Sequence, residues 1–369
     1  MTHTISPSPR VRTSPYFQST LREGAKSFTP YNRMLMPTSY GEPDEEYDRL
    51  INGVAMWDVA VERQVQLEGP DATRLAQVLT PRKIANMSPG QGWYIALCDH
   101  RGVLINDPIL LKHSDEKYWL SIADSDVLVW TRAIAAERGF DVRISEPDVS
   151  PLAVQGPKAE DVVAALLGDE VREIRHFRFR EMMLDDIPLV LARSGWSRQG
   201  GFELYLEDSS RGVELWERVK QAGEPWGIGP GNPNPSERIE SGLLSWGGDT
   251  DDDTNPFEVR MGRYVDLDAP DDVIGIQALR SIYEQGVKRH QLGIIVDSEE
   301  RLDYQSVPAA LEINGQTCGK ATALAWSPRL QKNIGIGLVD REVVAGDEVL
   351  IGTPMGIPRH GLMTELPFI

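Results

Sequence analysis

The stretch ARSGWSRQGGFELYL (192–206) sets a carboxylate, a phenol and an indole around a glycine turn. After the turn the residues alternate. Phe202, Leu204 and Leu206 point to one side of a strand, Glu203 and Tyr205 to the other. A carboxylate fixed on a strand can accept two N–H bonds from an aminopyrimidinone edge of the kind that guanine and pterin rings present. Such a bidentate, charge-assisted pair is strong and specific. Trp196 would then form an aromatic wall beside the ring. The pattern also fits a surface salt bridge for Glu203 and an ordinary packed Trp196.

Two further places could carry chemistry. Asp107 lies in LINDPILL, apolar on both sides, and Pro108 removes a backbone donor there. A carboxylate in an apolar strand is costly unless it is paired or used, although a turn-capping Asp would read the same way. Tyr94, thirteen residues earlier on the partner strand of the expected hairpin, is placed to approach it. Arg238 sits near the start of a helix, where free N–H groups favour anions. A solvated helix face is the alternative there.

The elements that must position these groups follow from periodicity. Residues 44–52, 70–80, 125–139 and 209–222 read as helices, and 61–69 and 117–124 as strands. Residues 92–113 read as two strands joined by a turn at Asp99–Gly102. QVQLEGPDATRLAQVL and LAVQGPKAEDVVAALL repeat a strand, a Gly-Pro turn and a helix about 90 residues apart, which suggests two related α+β subdomains. Asn234–Pro235–Ser236–Glu237 is a helix start, with Ile239, Leu243 and Trp246 as its expected apolar stripe. GPGNPN (229–234) reads as a loop. After about residue 275 short strands and turns suggest an all-β barrel or sandwich.

The 369 residues carry 41% hydrophobic and 25% charged side chains, ordinary for a globular protein, and a net charge of -18. The acidity argues against nucleic acid, and any polyanionic ligand would need local arginines to overcome it. No apolar run spans a membrane, and MTHTISPSPRVRTSP places Pro and Ser where a signal peptide needs an apolar core, so a cytoplasmic location is expected. Cys98 and Cys318 read as buried small hydrophobes, and His100 and His113 as surface residues. No metal-ligand spacing is present, and no metal is expected.

RSGWSRQGGFE (193–203), VQGPKA (154–159), RIESGLLSWGGDTDDDTNPFE (238–258) and GKATALAWSPRLQKNIGIGLV (319–339) resemble signatures of the folate-dependent methyltransfer family that includes the glycine-cleavage T-protein. Within it, YNRMLMPT (31–38), WDVAVERQV (57–65), NDPILLK (106–112) and the terminal LPFI are most similar to the branch that demethylates dimethylsulfoniopropionate. T-proteins proper are expected to carry Asp-Asp at Asn106–Asp107 and Tyr-Thr-Gly-Glu at Trp196–Gln199.

The resemblance implies an α+β, three-domain ring. It would comprise a flexible arm (1–16), two interlocked α+β subdomains (17–274) and a C-terminal barrel-like domain (275–369). It implies transfer of a methyl group from dimethylsulfoniopropionate to N5 of tetrahydrofolate, the co-substrate. Demethylation of glycine betaine or dimethylglycine, aminomethyl transfer and folate binding without catalysis are the alternatives. By the same resemblance Tyr94, Phe177 and Trp196 surround the pterin, Glu203 anchors it, Arg238 holds folate, and Asp107 holds it or takes the proton lost from N5. Tyr205, Trp196, Tyr31 and Trp57 would box the sulfonium, with Lys26 and Arg33 as candidates for its carboxylate. Trp246 stands where Tyr is expected, and Arg260 where a small residue or Cys is usual. The resemblance leaves room for a homodimer.

Overall fold

A computed structural model describes residues 10–352 and 358–369. The chain forms two compact units. One comprises the residues up to Thr73, Met87–Trp93 and Ile109–Pro233; the other comprises Arg74–Asn86, Tyr94–Pro108 and the residues from Asn234 onward.

Among the described residues the first unit holds two large sheets and a small one, Ser27–Tyr31 paired with Met34–Ser39. The larger runs Phe179–Leu184, Ile187–Ala192, Gly201–Leu206, Ser150–Gln155, Ala55–Asp58, Gly229–Gly231, antiparallel except for its last pair. Leu152, Val154, Phe202, Leu204 and Leu206 face the helices Ala159–Leu167 and Gly212–Gly223 through Val162, Val163, Leu215, Trp216 and Val219. The alternation therefore sets Glu203 and Tyr205 on the opposite face, as the sequence pattern implies. There Tyr205, Val190, Ala192 and Phe179 meet Leu111 and Trp119 of a second sheet. That sheet runs Arg143–Ser145, Gln64–Glu68, Lys117–Ser121, Ile109–Ser114, Gln91–Tyr94. The repeated strand, turn and helix is present twice. Its turn glycines are required: a Cβ on Gly69 would stand 2.5 Å from the Asp141 carbonyl, and one on Gly156 2.6 Å from that of Gly53.

The second unit contains a short hairpin, Leu97–Cys98 with Leu104–Asn106, the helices Pro235–Ser241 and Ile276–Gln285, and a closed six-stranded barrel. The barrel strands run Arg289–Asp297, Lys332–Asp340, Gln316–Ser327, Ala309–Ile313, Glu348–Ile351, Arg359–Thr364. The architecture is thus mixed α+β with a C-terminal barrel. Among the described residues no helix is long and apolar enough to cross a membrane.

Several local expectations are corrected. Residues 1–9 of the expected arm lie outside the described residues, and 12–16 are held in place. Arg12 bridges to Met34, Ser14 donates to Asp58, and the buried Tyr16 donates its hydroxyl to the Ser150 carbonyl at 2.8 Å. Gly229–Gly231 is a short parallel strand rather than a loop, because Gly231 lets Trp57 lie across it: a Cβ there would stand 2.9 Å from the Trp57 Nε1. The helix at Asn234 is capped as expected, the Asn234 side chain accepting from the Glu237 N–H at 3.0 Å. It ends at Gly242, however, whose φ of 60° admits a left-handed cap, so Leu243 and Trp246 fall outside it. The helix Ile276–Gln285 precedes the barrel where strands were expected. Cys98 and Cys318 are buried, as read. His113 is buried rather than on the surface, its ring centroid 4.2 Å from that of Trp119 and 4.8 Å from that of Phe179.

Candidate functional site

In the first unit, strand register builds a floor around Glu203. The cross-strand row reads Phe179, Ala192, Glu203, Ala153, Trp57. Side chains paired across a sheet share a face, and neighbouring strands lie roughly 4.8 Å apart. On the neighbouring strands Glu203 therefore has methyl groups, with an aromatic ring two strands away on each side. Glu203 is only 5% exposed. Its Oε2 accepts hydrogen bonds from the Ser194 hydroxyl and, at 3.1 Å, from Tyr205. No hydrogen bond from the described residues reaches Oε1. Burial raises the Glu203 pKa, and the two hydroxyl donors oppose that rise. The result is a carboxylate with one oxygen held by two hydroxyls and the other free to accept an N–H from a ligand, with the methyl groups of Ala192 and Ala153 on the neighbouring strands.

The loop that carries Ser194 and Trp196 is clamped by Gln155, which sequence reading did not single out. Gln155 is fully buried; its Nε2 donates to the Ser194 carbonyl at 3.1 Å and its Oε1 accepts from Ser197 at 2.8 Å. A Cβ on Gly195 would stand 2.1 Å from the Gln155 side chain, so the loop can close over the glutamine only with glycine there. Trp196 is half-buried. Phe177 has a φ of 56°, a left-handed conformation that is strained for an aromatic residue. Two backbone hydrogen bonds hold it, its N–H to the Arg193 carbonyl and its carbonyl to the Gly92 N–H, each 2.9 Å. Tyr205 is buried beside Glu203 on the same face, and Trp57 is buried at the far end of the row. Tyr31 is half-buried and packs against the core on the opposite face, away from the Glu203 floor. Arg33 is paired with Asp126 on the surface at 2.9 Å, and Lys26 is exposed.

In the second unit, the hairpin folds Tyr94 onto Asp107. The expected turn is present, Gly102 N–H donating to the Asp99 carbonyl at 3.0 Å, and the Ile95 N–H donates to the Pro108 carbonyl at 3.0 Å. Closing the chain there brings the Tyr94 hydroxyl to Asp107 Oδ2 at 2.6 Å. Withdrawal from solvent pushes the Asp107 carboxyl up to about 7, and the Asp249 charge adds to the effect while the Tyr94 hydrogen bond opposes it. Burial and the neighbouring Asp107 raise the Tyr94 phenol well above its ordinary value. Tyr264 stands edge-on to Tyr94, ring centroids 5.1 Å apart.

Arg238 is buried rather than solvated. It donates to Asp249 Oδ2 at 2.8 Å and to the Leu243 carbonyl at 3.3 Å. Asp249 also accepts from the Ser245 N–H at 2.9 Å and from Thr322 of the barrel at 2.7 Å. Arg238 is thus a brace joining the helix, the loop after it and the barrel wall. Trp246 is half-buried, donating to the Leu104 carbonyl at 3.2 Å. Arg260 donates to the Gly242 carbonyl and to Gln291. Among the described residues no group of three or more His, Cys, Asp and Glu side chains is placed to hold a metal ion.

Comparison with known proteins identifies the family of the chain. Residues 16–269 match the GCVT N-terminal domain, and residues 289–369 match the glycine cleavage T-protein C-terminal barrel domain. The chain is 41% identical over 354 residues to dimethylsulfoniopropionate demethylase DmdA of Ruegeria pomeroyi, covering 96% of each. It is 30% identical over 367 residues to an aminomethyltransferase of Shouchella clausii, covering 96% of this chain and 97% of the relative. The crystal structure of the glycine cleavage system aminomethyltransferase T from Bartonella henselae superposes with a TM-score of 0.86 at 23% identity, over 97% of this chain and 98% of that one, and shares its fold. The chain belongs to the glycine cleavage T-protein family.

Proposed function

We propose that this protein is a tetrahydrofolate-dependent demethylase. It moves a methyl group from dimethylsulfoniopropionate to N5 of tetrahydrofolate, giving 5-methyltetrahydrofolate and methylmercaptopropionate. The observation that carries this reading is the 41% identity to a dimethylsulfoniopropionate demethylase across 96% of both chains, against 30% to the aminomethyltransferase of Shouchella clausii. The cytoplasm, where the folate pool would supply the acceptor, is the location that goes with it. The domain boundary at 274/275 belongs to the same proposal.

The transfer is redox-neutral. The S–CH3 bond breaks with its electron pair staying on sulfur, an N–CH3 bond forms from the N5 lone pair, and N5 loses a proton. The leaving thioether is neutral, so the work left to the protein is alignment and exclusion of water. Glu203 Oε1 accepts an N–H of the aminopyrimidinone edge, with Ala192 and Ala153 leaving room for the ring. Phe177 and Trp196 wall the pterin, and Tyr94 lies against the folate beside Asp107. Asp107, ionised above about 7, takes the proton from N5. Tyr205, Trp196 and Trp57 supply aromatic surface to the sulfonium, each good cation–π contact contributing about 0.5–2 kcal/mol. Arg238 positions Asp249, whose charge acts on Asp107.

The test is one anaerobic assay. Protein and tetrahydrofolate are mixed separately with dimethylsulfoniopropionate, glycine betaine and dimethylglycine, and 5-methyltetrahydrofolate and the demethylated donor are quantified. Turnover of the sulfonium alone is expected. Turnover of an amine alone would move the donor assignment and direct attention to Trp246 and Arg260.

A further inference from the structure

A primary amide buried in a protein core must have its polar atoms bonded. Gln155, the last residue of the strand Ser150–Gln155, is fully buried and directs its amide at the turn that joins Ile187–Ala192 to Gly201–Leu206. Its Nε2 donates to the Ser194 carbonyl at 3.1 Å, before the turn, and to the Phe202 carbonyl at 3.4 Å, after it. Its Oε1 accepts from the Ser197 hydroxyl at 2.8 Å, and the Ser197 Oγ accepts in turn from the Gln199 N–H at 3.4 Å. Two carbonyls and a hydroxyl fix the sense of the amide, because reversed it would turn its oxygen toward two acceptors. The backbone rests directly on it. A Cβ on Gly201 would stand 2.6 Å from Nε2, so this position, like Gly195, admits only glycine. The Gly156 N–H closes the neck of the loop on the Gly200 carbonyl at 2.9 Å.

What the amide grips lies on both sides of Trp196. Ser194, whose carbonyl it holds, is the residue whose hydroxyl donates to Glu203 Oε2. Ser197, whose hydroxyl it receives, follows Trp196 directly. We propose that Gln155 and Ser197 are positioning residues of the site. Through Ser194 the amide sets the donor that orients Glu203, and through Ser197 it sets the indole of Trp196. This rests on the demethylase reading given above, which puts Glu203 and Trp196 in the site. The ligand that feels Ser197 most is then a small sulfonium or quaternary-ammonium cation held against the indole face. A clamp of this kind acts on affinity. With the loop already ordered, the ligands need not order it when they bind. Once both are bound, the wall is in place with or without the clamp, and the chemical step is unaffected.

The test uses the full chain under anaerobic conditions with tetrahydrofolate and dimethylsulfoniopropionate. Ser197→Ala, Ser197→Thr and Gln155→Glu are compared with the wild type. Ser197 is half-buried and Ser197→Ala removes one hydroxyl, so that variant should fold even if Gln155→Glu, which sets an oxygen against two carbonyls, does not. Ser197→Ala should raise the donor KM and the tetrahydrofolate dissociation constant about three- to tenfold each, with kcat at saturation within about twofold. The emission of Trp196, isolated by subtracting the spectrum of the matching Trp196→Phe protein, should move to longer wavelength as the indole meets water. Ser197→Thr keeps the hydroxyl and should restore all of these. Gln155→Glu should raise the folate constant further, by about tenfold or more, because Ser194 is released as well. An unchanged KM and folate constant in Ser197→Ala would overturn the proposal. So would a fall in kcat with both constants unchanged, the signature of a merely destabilised protein, or a Ser197→Thr variant as impaired as Ser197→Ala. Failure of the wild type itself to bind tetrahydrofolate or to demethylate the donor is a different result. It would overturn the demethylase reading, and with it the role assigned to this pair.

Discussion

Tyr94 donates its hydroxyl to Asp107 across 2.6 Å, and the two meet because the hairpin between them is pinned at the Ile95–Pro108 hydrogen bond. The phenol stays protonated, since burial and the adjacent carboxyl both raise its pKa. It is therefore a fixed donor, and the proton that moves with pH is that of Asp107. With its pKa pushed up to about 7, the carboxyl is mostly neutral in mildly acid solution and ionised above neutrality. Methyl transfer should rise with pH through about 7 and level off above it. Asp107→Asn should flatten the profile and lower kcat by about 10²-fold, the bottom of the range for acid–base groups, because the donor is already activated. A pH–rate series on the two proteins decides this. A wild-type profile flat from pH 6 to 8 would remove the proton-acceptor role.

Glu203 should control binding of the pterin rather than turnover. A hydrogen bond to a charged group is worth about 1.5–3 kcal/mol, so Glu203→Ala should raise the folate dissociation constant by roughly 10- to 100-fold. Tyr205→Phe, which removes one of the two donors to Oε2, should have a smaller effect of the same sign. Titration of each variant by fluorescence quenching is sufficient. An unchanged constant in Glu203→Ala would sink the anchor.

Asp249→Ala should cost stability out of proportion to its size. It strands the buried Arg238 guanidinium, and breaking a buried pair from one side typically costs about 3–5 kcal/mol. Removing both partners, as in Arg238→Met with Asp249→Leu, should recover much of that loss. Urea midpoints for the single and double variants separate a brace from a dispensable contact.

His113 predicts an acid-sensitive first unit. Burial, with Lys117 adding, lowers its pKa to about 4, opposed by Glu181. The folded state therefore binds its proton more weakly than the unfolded chain does, whose pKa lies near 6.5. The sign follows: the contribution is complete above about 6.5 and is lost as pH falls from there toward about 4. Asp58 and Asp107, both pushed up to about 7, act in the opposite sense, losing stability as pH rises between about 4 and 7. Both remain in His113→Phe, so the difference between the proteins isolates the histidine. The variant should gain on the wild type from pH 7.5 to pH 5 in denaturant melts. Parallel behaviour would place the ring in contact with water.

Sequence pattern made one half of this geometry legible and hid the other. Alternation alone separates Glu203 and Tyr205 from Phe202, Leu204 and Leu206, because a strand has only two faces. The Asp99–Gly102 turn fixes which strands pair and so brings Tyr94 to Asp107. Cross-strand neighbours are a different matter. That Ala153 and Ala192 flank Glu203, and that Trp57 and Phe179 end its row, depends on register set by the whole sheet. Gln155 is an unremarkable strand residue until the loop it clamps is folded over it. His113 looks polar in the sequence and is buried by Trp119 and Phe179 from elsewhere in the chain. The stripe through Leu243 and Trp246 failed because a left-handed glycine ended the helix before they were reached.

The interleaving of the two units bears on how the chain must be made. Ala96, Cys98 and Leu104 belong to an apolar cluster whose other members, Leu244, Val259, Met261, Val265 and Leu279, come 140 or more residues later. A ribosome delivering the chain from its N-terminus exposes those early segments long before their partners emerge. No fragment ending near Pro233 can bury them, and neither unit can be released by a single cut. The nascent polypeptide thus spends most of its synthesis with an unfinished core. Its yield in a cell should depend on chaperone capacity and on translation speed through the middle of the message more than on the stability of the finished protein.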